Sequence, residues 1–95
     1  MGEREEYVDK MKGKIEEWNH DLAKLEAKAK EADAEMREKY DQQIKELREQ
    51  RNEAEERLRK VQEASEDSWK KFREGMESAW DDMVKAFRDA SDRFR

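Results

Sequence analysis

The chain has 95 residues, room for one small domain; 52% of them are charged and 34% are apolar. Acidic and basic residues alternate and leave a net charge of −5, so the one-signed basic patch of a nucleic-acid binder is not expected. With no proline, no cysteine and 3 glycines, the composition excludes a disulfide scaffold and thiolate chemistry and points to long helices, an all-α fold.

The start, MGEREEY, is charged and no apolar stretch follows it, so no secretory signal is expected. Glu6 stands where a myristoylation motif wants Ser or Thr. No stretch approaches the ~18 apolar residues of a membrane span. The expected location is the cytoplasm.

The first element begins near residue 3. Val8, Met11, Ile15, Trp18, Leu22, Leu25, Ala29, Ala32 and Met36 recur in steps of three and four, the a and d seam of a heptad repeat. Regularly spaced large side chains of this kind are not what disordered segments carry. Met36, Tyr40 and Ile44 then step by four twice, which reads as a stutter that locally unwinds a supercoil. The seam resumes with Leu47, Arg51, Ala54, Leu58 and Val61. Arg51 is its one charged member, and its stem can lie along the strip with its head in water. No glycine or proline interrupts this run, so one helix over about 3–63 is predicted. Opposite charges recur four residues apart along its outer faces, acid first, as in Glu26 and Lys30, Asp33 and Arg37, and Glu53 and Arg57. Each such pair adds roughly 0.2–0.5 kcal/mol to a helix and needs no functional explanation.

A break is predicted at about 64–68. In EASEDSW, Ser65, Asp67 and Ser68 are all good N-caps, and acids suit a helix start. A second helix over about 68–93 follows. From Leu58 onward Ser65, Trp69, Phe72, Met76, Trp80, Met83, Phe87, Ser91 and Phe94 step three, four, four, an eleven-residue period. Folding the chain back about Ser65 sets Trp69 against Val61, Phe72 against Leu58, Met76 against Ala54, Met83 against Leu47, Phe87 against Ile44 and Phe94 against Met36. Trp80 falls near Arg51 and Ala54. A helical hairpin is therefore favoured over one continuous helix, and it associates as a coiled coil or bundle. Its arms are unequal, about 90 Å and about 40 Å by the rise per residue. The seam from Val8 to Ala32 would stay bare, and a bare apolar strip marks an interaction surface. The expected partner is a second copy, in a homodimer or higher homo-oligomer.

Chemistry is weakly represented. The single histidine, His20, forms Glu-x-x-His with Glu17, the spacing of di-iron bundles. The heptad puts His20 at f and Glu17 at c, facing away from the seam, so no metal site and no cofactor are expected. The serines have no second histidine or lysine base in a pocket-forming context, and solvated carboxylates have ordinary acidity. An enzyme is not expected. The aromatic segment, with Trp69, Phe72, Trp80, Phe87 and Phe94 on one strip, allows a second reading. Amphipathic helices that bind lipid surfaces reversibly use bulky aromatics this way, although they usually carry a more basic polar face.

In order along the chain stand YVDKMKGK at Tyr7, EWN at Glu17, KLEAKAKEA at Lys24, YDQQIKELREQR at Tyr40, Ala64–Ser65 before Trp69, and GMESAW from Gly75 through to Ala86 and Phe87. Through these blocks, nearly the whole chain resembles a group of small bacterial coiled-coil-domain proteins of unknown function. The resemblance implies a cytoplasmic, self-associating helical protein, and it brings no reaction, cofactor or functional residue with it.

Overall fold

The structure is a computed structural model and describes residues 2–93. The described residues are helical almost throughout: α1 spans Glu3–Glu31, α2 Ala34–Glu63 and α3 Trp69–Arg93. The molecule measures 51 × 18 × 18 Å, far shorter than a helix of about sixty residues at ~90 Å. The chain runs up, down and up. Arg51 of α2 reaches Asn19 of α1 and Arg48 reaches Glu26, so these helices are antiparallel. Gly75 of α3 lies beside Arg57 of α2, as an antiparallel return close to the expected register requires.

The fold class is the expected all-α one, with α3 folded back on the helix before it. The boundary of the first helix needs correction, because 3–63 is two helices rather than one. Ala32 (ψ 155°) and Asp33 (ψ 171°) are extended and end the first helix. The Asp33 carboxylate then accepts the Met36 amide at 2.9 Å and starts the second. Arg37 closes the junction: its guanidinium donates to the carbonyl of Lys30 (2.6 Å) and to that of Ala29 (3.3 Å), which also accepts the Ala32 amide at 3.3 Å. The charges suit both ends, with Lys28 and Lys30 in the last turn of α1 and Glu35 in the first turn of α2. The apparent stutter at Met36, Tyr40 and Ile44 is thus the start of a new helix.

The second break falls where expected. Ala64 is extended, and Ser68 and Trp69 donate back to the Ser65 carbonyl at 3.1 and 3.0 Å. Arg4 ties this turn to the start of α1. It donates to the carbonyls of Ala64 (2.6 Å) and Gln62 (3.2 Å) and pairs with Glu66 at 2.8 Å. An arginine from elsewhere in the chain therefore caps the C-terminus of each of the first two helices.

One core joins the three helices, and the first seam is not bare. Val8, Met11, Ile15, Trp18, Leu22, Leu25 and Ala29 are buried within the same chain, and Ala32 and Met36 pack on the edge of that core. From α2 come Tyr40, Ile44, Leu47, Ala54, Leu58 and Val61. Because α1 folds back at Asp33, these residues are covered without a second copy. In α3 the buried residues are Trp69, Met76, Met83 and Ala90, a seven-residue spacing rather than the eleven-residue one expected. Phe72 is corrected from a core contact of Leu58 to a surface residue, 41% exposed. Phe94 lies outside the described residues.

Of the acid-first pairs four residues apart in the sequence, only Glu53–Arg57 (2.9 Å) closes to an ion pair among the described residues. Glu26 pairs across helices with Arg48 instead, at 2.6 Å. Exposed pairs of this kind barely offset the side-chain entropy of holding them.

Gly13 sits mid-helix in α1, and a methyl group there would meet nothing within 4 Å. Gly13→Ala is expected to stabilise the fold by about 0.8–1 kcal/mol, the helix-propensity difference, read as a raised urea midpoint at unchanged slope. Gly75→Ala should gain less, because its methyl would come within 3.2 Å of the Arg57 guanidinium.

Candidate interaction surface

The two sides of α3 differ in side-chain size. Toward α2 it presents Gly75 and Ala79, which share a cleft with Gln50, Glu53 and Arg57, and the helices lie close. Toward α1 it presents Trp69, Trp80 and Phe87. Trp18 sits between the last two, 6.0 Å from the Trp80 ring and 5.0 Å edge-on to Phe87. Tyr7 meets Trp69 at 6.5 Å. Residue numbers rise together along these contacts, so α1 and α3 are parallel. Both follow from the up–down–up order, and bulky rings rather than close backbones fill the space between them.

Cations decorate this aromatic seam. Lys14 lies 5.8 Å from the Trp80 ring, and Arg4 and Arg73 lie 6.0 and 5.2 Å from Trp69. Such contacts are worth roughly 0.5–1 kcal/mol when exposed. The register about Ser65 sets Trp80 against Arg51 and Ala54, and Phe87 against Ile44. Both instead turn toward Trp18, because α1 occupies the third side of the bundle. The Arg51 head is held rather than free in water: it donates to the Asn19 side chain at 3.0 Å and links α1 to α2.

The rings leave a shallow depression of about 280 Å³ between α1 and α3. Lys14, Glu17 and Asp21 border it on one side and Arg88 on the other, with Trp80, Val84 and Phe87 in its floor. That is below the ~300–1,000 Å³ of small-molecule clefts. Val84 is 38% exposed there, and with Phe72 it is one of two large exposed hydrophobic residues among those described. Phe72 lies apart from it, on the stripe of Gly75 and Ala79. Of the predicted contact residues, Trp18, Trp80 and Phe87 come together at this face. Of the others that are described, all lie in the core or pack on its edge except Phe72, which is separate. Val84 was missed, since it lies off the eleven-residue strip assigned to the last helix. The presence of Trp18, the one large aromatic in an otherwise aliphatic first seam, was the available signal.

Tyr7 is the one group among those described whose acidity clearly departs from the ordinary. Burial, then the Glu77 carboxylate, push its phenol up to about 12, and Arg73 partly offsets them. Its hydroxyl is buried without a hydrogen-bond partner. The raised value disfavours the phenolate in the folded state, so this contribution to stability is complete below pH ~10 and is lost as the pH rises toward 12. Tyr7→Phe should flatten that alkaline loss in denaturant titrations run across the window, and should not weaken the fold at neutral pH.

His20 is exposed on the outer face of α1, as its f position implies, and Glu17 is exposed beside it. Among the described residues no three of His, Asp and Glu are grouped so as to hold a metal ion. No described helix is long and apolar enough to cross a membrane. Comparison of the chain with protein-family models, with curated proteins and with solved structures finds no match.

Proposed function

We propose that this protein is a small structural or adaptor module that acts by association, through the face shared by α1 and α3. The observation that carries the reading is Val84, exposed between two half-covered aromatics on a face edged by charges of both signs. An apolar centre with a polar rim is the anatomy of an interface. The reading places the protein in the cytoplasm, as the resemblance to small bacterial coiled-coil proteins implies. It moves the interface away from the Val8–Ala32 seam, which the chain covers for itself.

Lipid-surface binding has less support. It needs a continuous apolar strip, and Trp69, Met76, Met83 and Ala90 are turned inward, leaving Phe72 and Val84 on separate stripes.

A photo-reactive amino acid placed at position 84, and at 20 as a control that is exposed but does not line the depression, tests the association. Expected are covalent protein adducts from position 84 in living cells and few from position 20. Adducts from 20 but none from 84 would contradict the assignment of this face.

A further inference from the structure

We infer that the α1/α3 face pairs with the same face of a second copy, turned end for end, about a twofold axis beside Val84. This rests on the reading that the face is where the protein associates, and it names the partner. Trp18 lies between Trp80 and Phe87, so the level of Trp18 on α1 is the level of Val84 on α3. About that level the two helices carry opposed features. On α1, Lys14 stands one turn before Trp18 and Asp21 about one turn after it. On α3, Trp80 stands one turn before Val84 and Arg88 one turn after it.

Reversing a second copy over this level brings Lys14, Asp21, Trp80 and Arg88 onto complements, and sets the Glu17 carboxylates of the two copies near one another at the axis, a repulsion that weakens the pairing. Lys14 faces Asp21 of the other copy, and Asp21 faces its Lys14. Arg88 reaches the half-covered ring of the other Trp80, taking the place of Lys14, which lies 5.8 Å from that ring in the single chain and turns to Asp21 in the pair. The two Val84 side chains meet at the axis and cover one another. Among the described residues neither Asp21 nor Arg88 has an ionic partner within its own chain. The end-for-end arrangement also sets α1 against α1 and α3 against α3 antiparallel, so their dipoles oppose, whereas a parallel pairing would align all four. The whole face, 18 Å wide along the ~37 Å of a 25-residue helix, offers at most about 670 Å² per copy, below the ~800 Å² of standard interfaces. Its apolar centre is small, so the dimer is expected to be weak.

Sedimentation equilibrium of the full chain from ~1 µM to ~1 mM, spanning weak dissociation constants, is the direct measurement. The mass should rise from one chain, 11.5 kDa, toward two. Val84→Glu, at an exposed position, should raise the dissociation constant at least ~10-fold. Lys14→Asp should weaken the dimer, and adding Asp21→Lys should restore it, since both contacts are then reversed. The chain has no cysteine, so Val84→Cys supplies the only thiol, and oxidation should link two copies at the axis. The His20→Cys variant should not link.

A single-chain mass throughout overturns the pairing, as does a double variant no tighter than Lys14→Asp alone. Binding of phosphatidylglycerol vesicles that Val84→Glu abolishes, in a protein monomeric in solution, overturns it in favour of a lipid partner. If the chain is monomeric yet position 84 forms adducts with a different protein, the association reading stands and only the second copy fails.

Discussion

Trp18→Ala should cost about 3–5 kcal/mol, the range for deleting a buried large aromatic. Trp18 is 6% exposed and is the ring on which both Trp80 and Phe87 rest. Aromatic pairs add about 0.5–1.5 kcal/mol beyond area burial, so two such contacts move the expectation to the upper part of the range. The loss is large against the ~5–15 kcal/mol stability of a whole domain. It should appear in urea titrations as a lowered midpoint, with the remaining tryptophans shifted toward red emission. The indole N–H of Trp18 has no hydrogen-bond partner, so Trp18→Phe should recover most of the loss. A cost under about 1 kcal/mol for Trp18→Ala would mean that α1 does not pack on α3.

Leu47→Ala should cost about 2–5 kcal/mol. Leu47 lies in α2, the helix that packs against both others, and is 1% exposed. The comparison that gives this value meaning is Phe72→Ala. Phenylalanine is larger than leucine, yet Phe72 is 41% exposed, so its removal should cost under about 1 kcal/mol. Burial, not side-chain size, sets the order. If α3 instead lay with its whole aromatic strip on α2, as the sequence register implied, Phe72→Ala would be the more damaging change. Thermal melts separate the two, since each kcal/mol moves the midpoint of a domain of this size by about 4–8 °C.

The elements that were legible share one property: their signal is periodic. The seam Val8, Met11, Ile15, Trp18, Leu22, Leu25 and Ala29 alternates steps of three and four, and all seven residues are buried. The turn over Ala64–Ser68 was legible because its serines stand out in a chain of charged residues. The junction at Ala32–Asp33 was not. It has no glycine or proline, and its N-cap is one aspartate among 27 acidic residues. The capping arginine, Arg37, is likewise one base among many. What could have marked the site is the change of charge order, Lys28 and Lys30 before it and Asp33 and Glu35 after it, which matches a helix end followed by a helix start.

Missing that junction displaced the inferred site. With α1 extended, the Val8–Ala32 seam needed an external cover, and the aromatics of α3 had only α2 to face. With α1 folded back, the seam becomes core and the exposed apolar residue that matters is Val84. A residue off the heptad seam acquires meaning only when two parallel helices are seen to flank it, and that relation depends on both turns together.

The fold back at Asp33 is therefore the claim on which the rest depends. Spin labels at the exposed positions Asp9 of α1 and Arg59 of α2 measure it directly, with the labelled chain diluted in unlabelled protein so that the distance is within one chain. Packed antiparallel helices at 8–10 Å spacing should give a distribution centred below about 25 Å, label arms included. A distribution centred near 75 Å, the length of fifty residues of unbroken helix at ~1.5 Å each, would contradict the three-helix bundle.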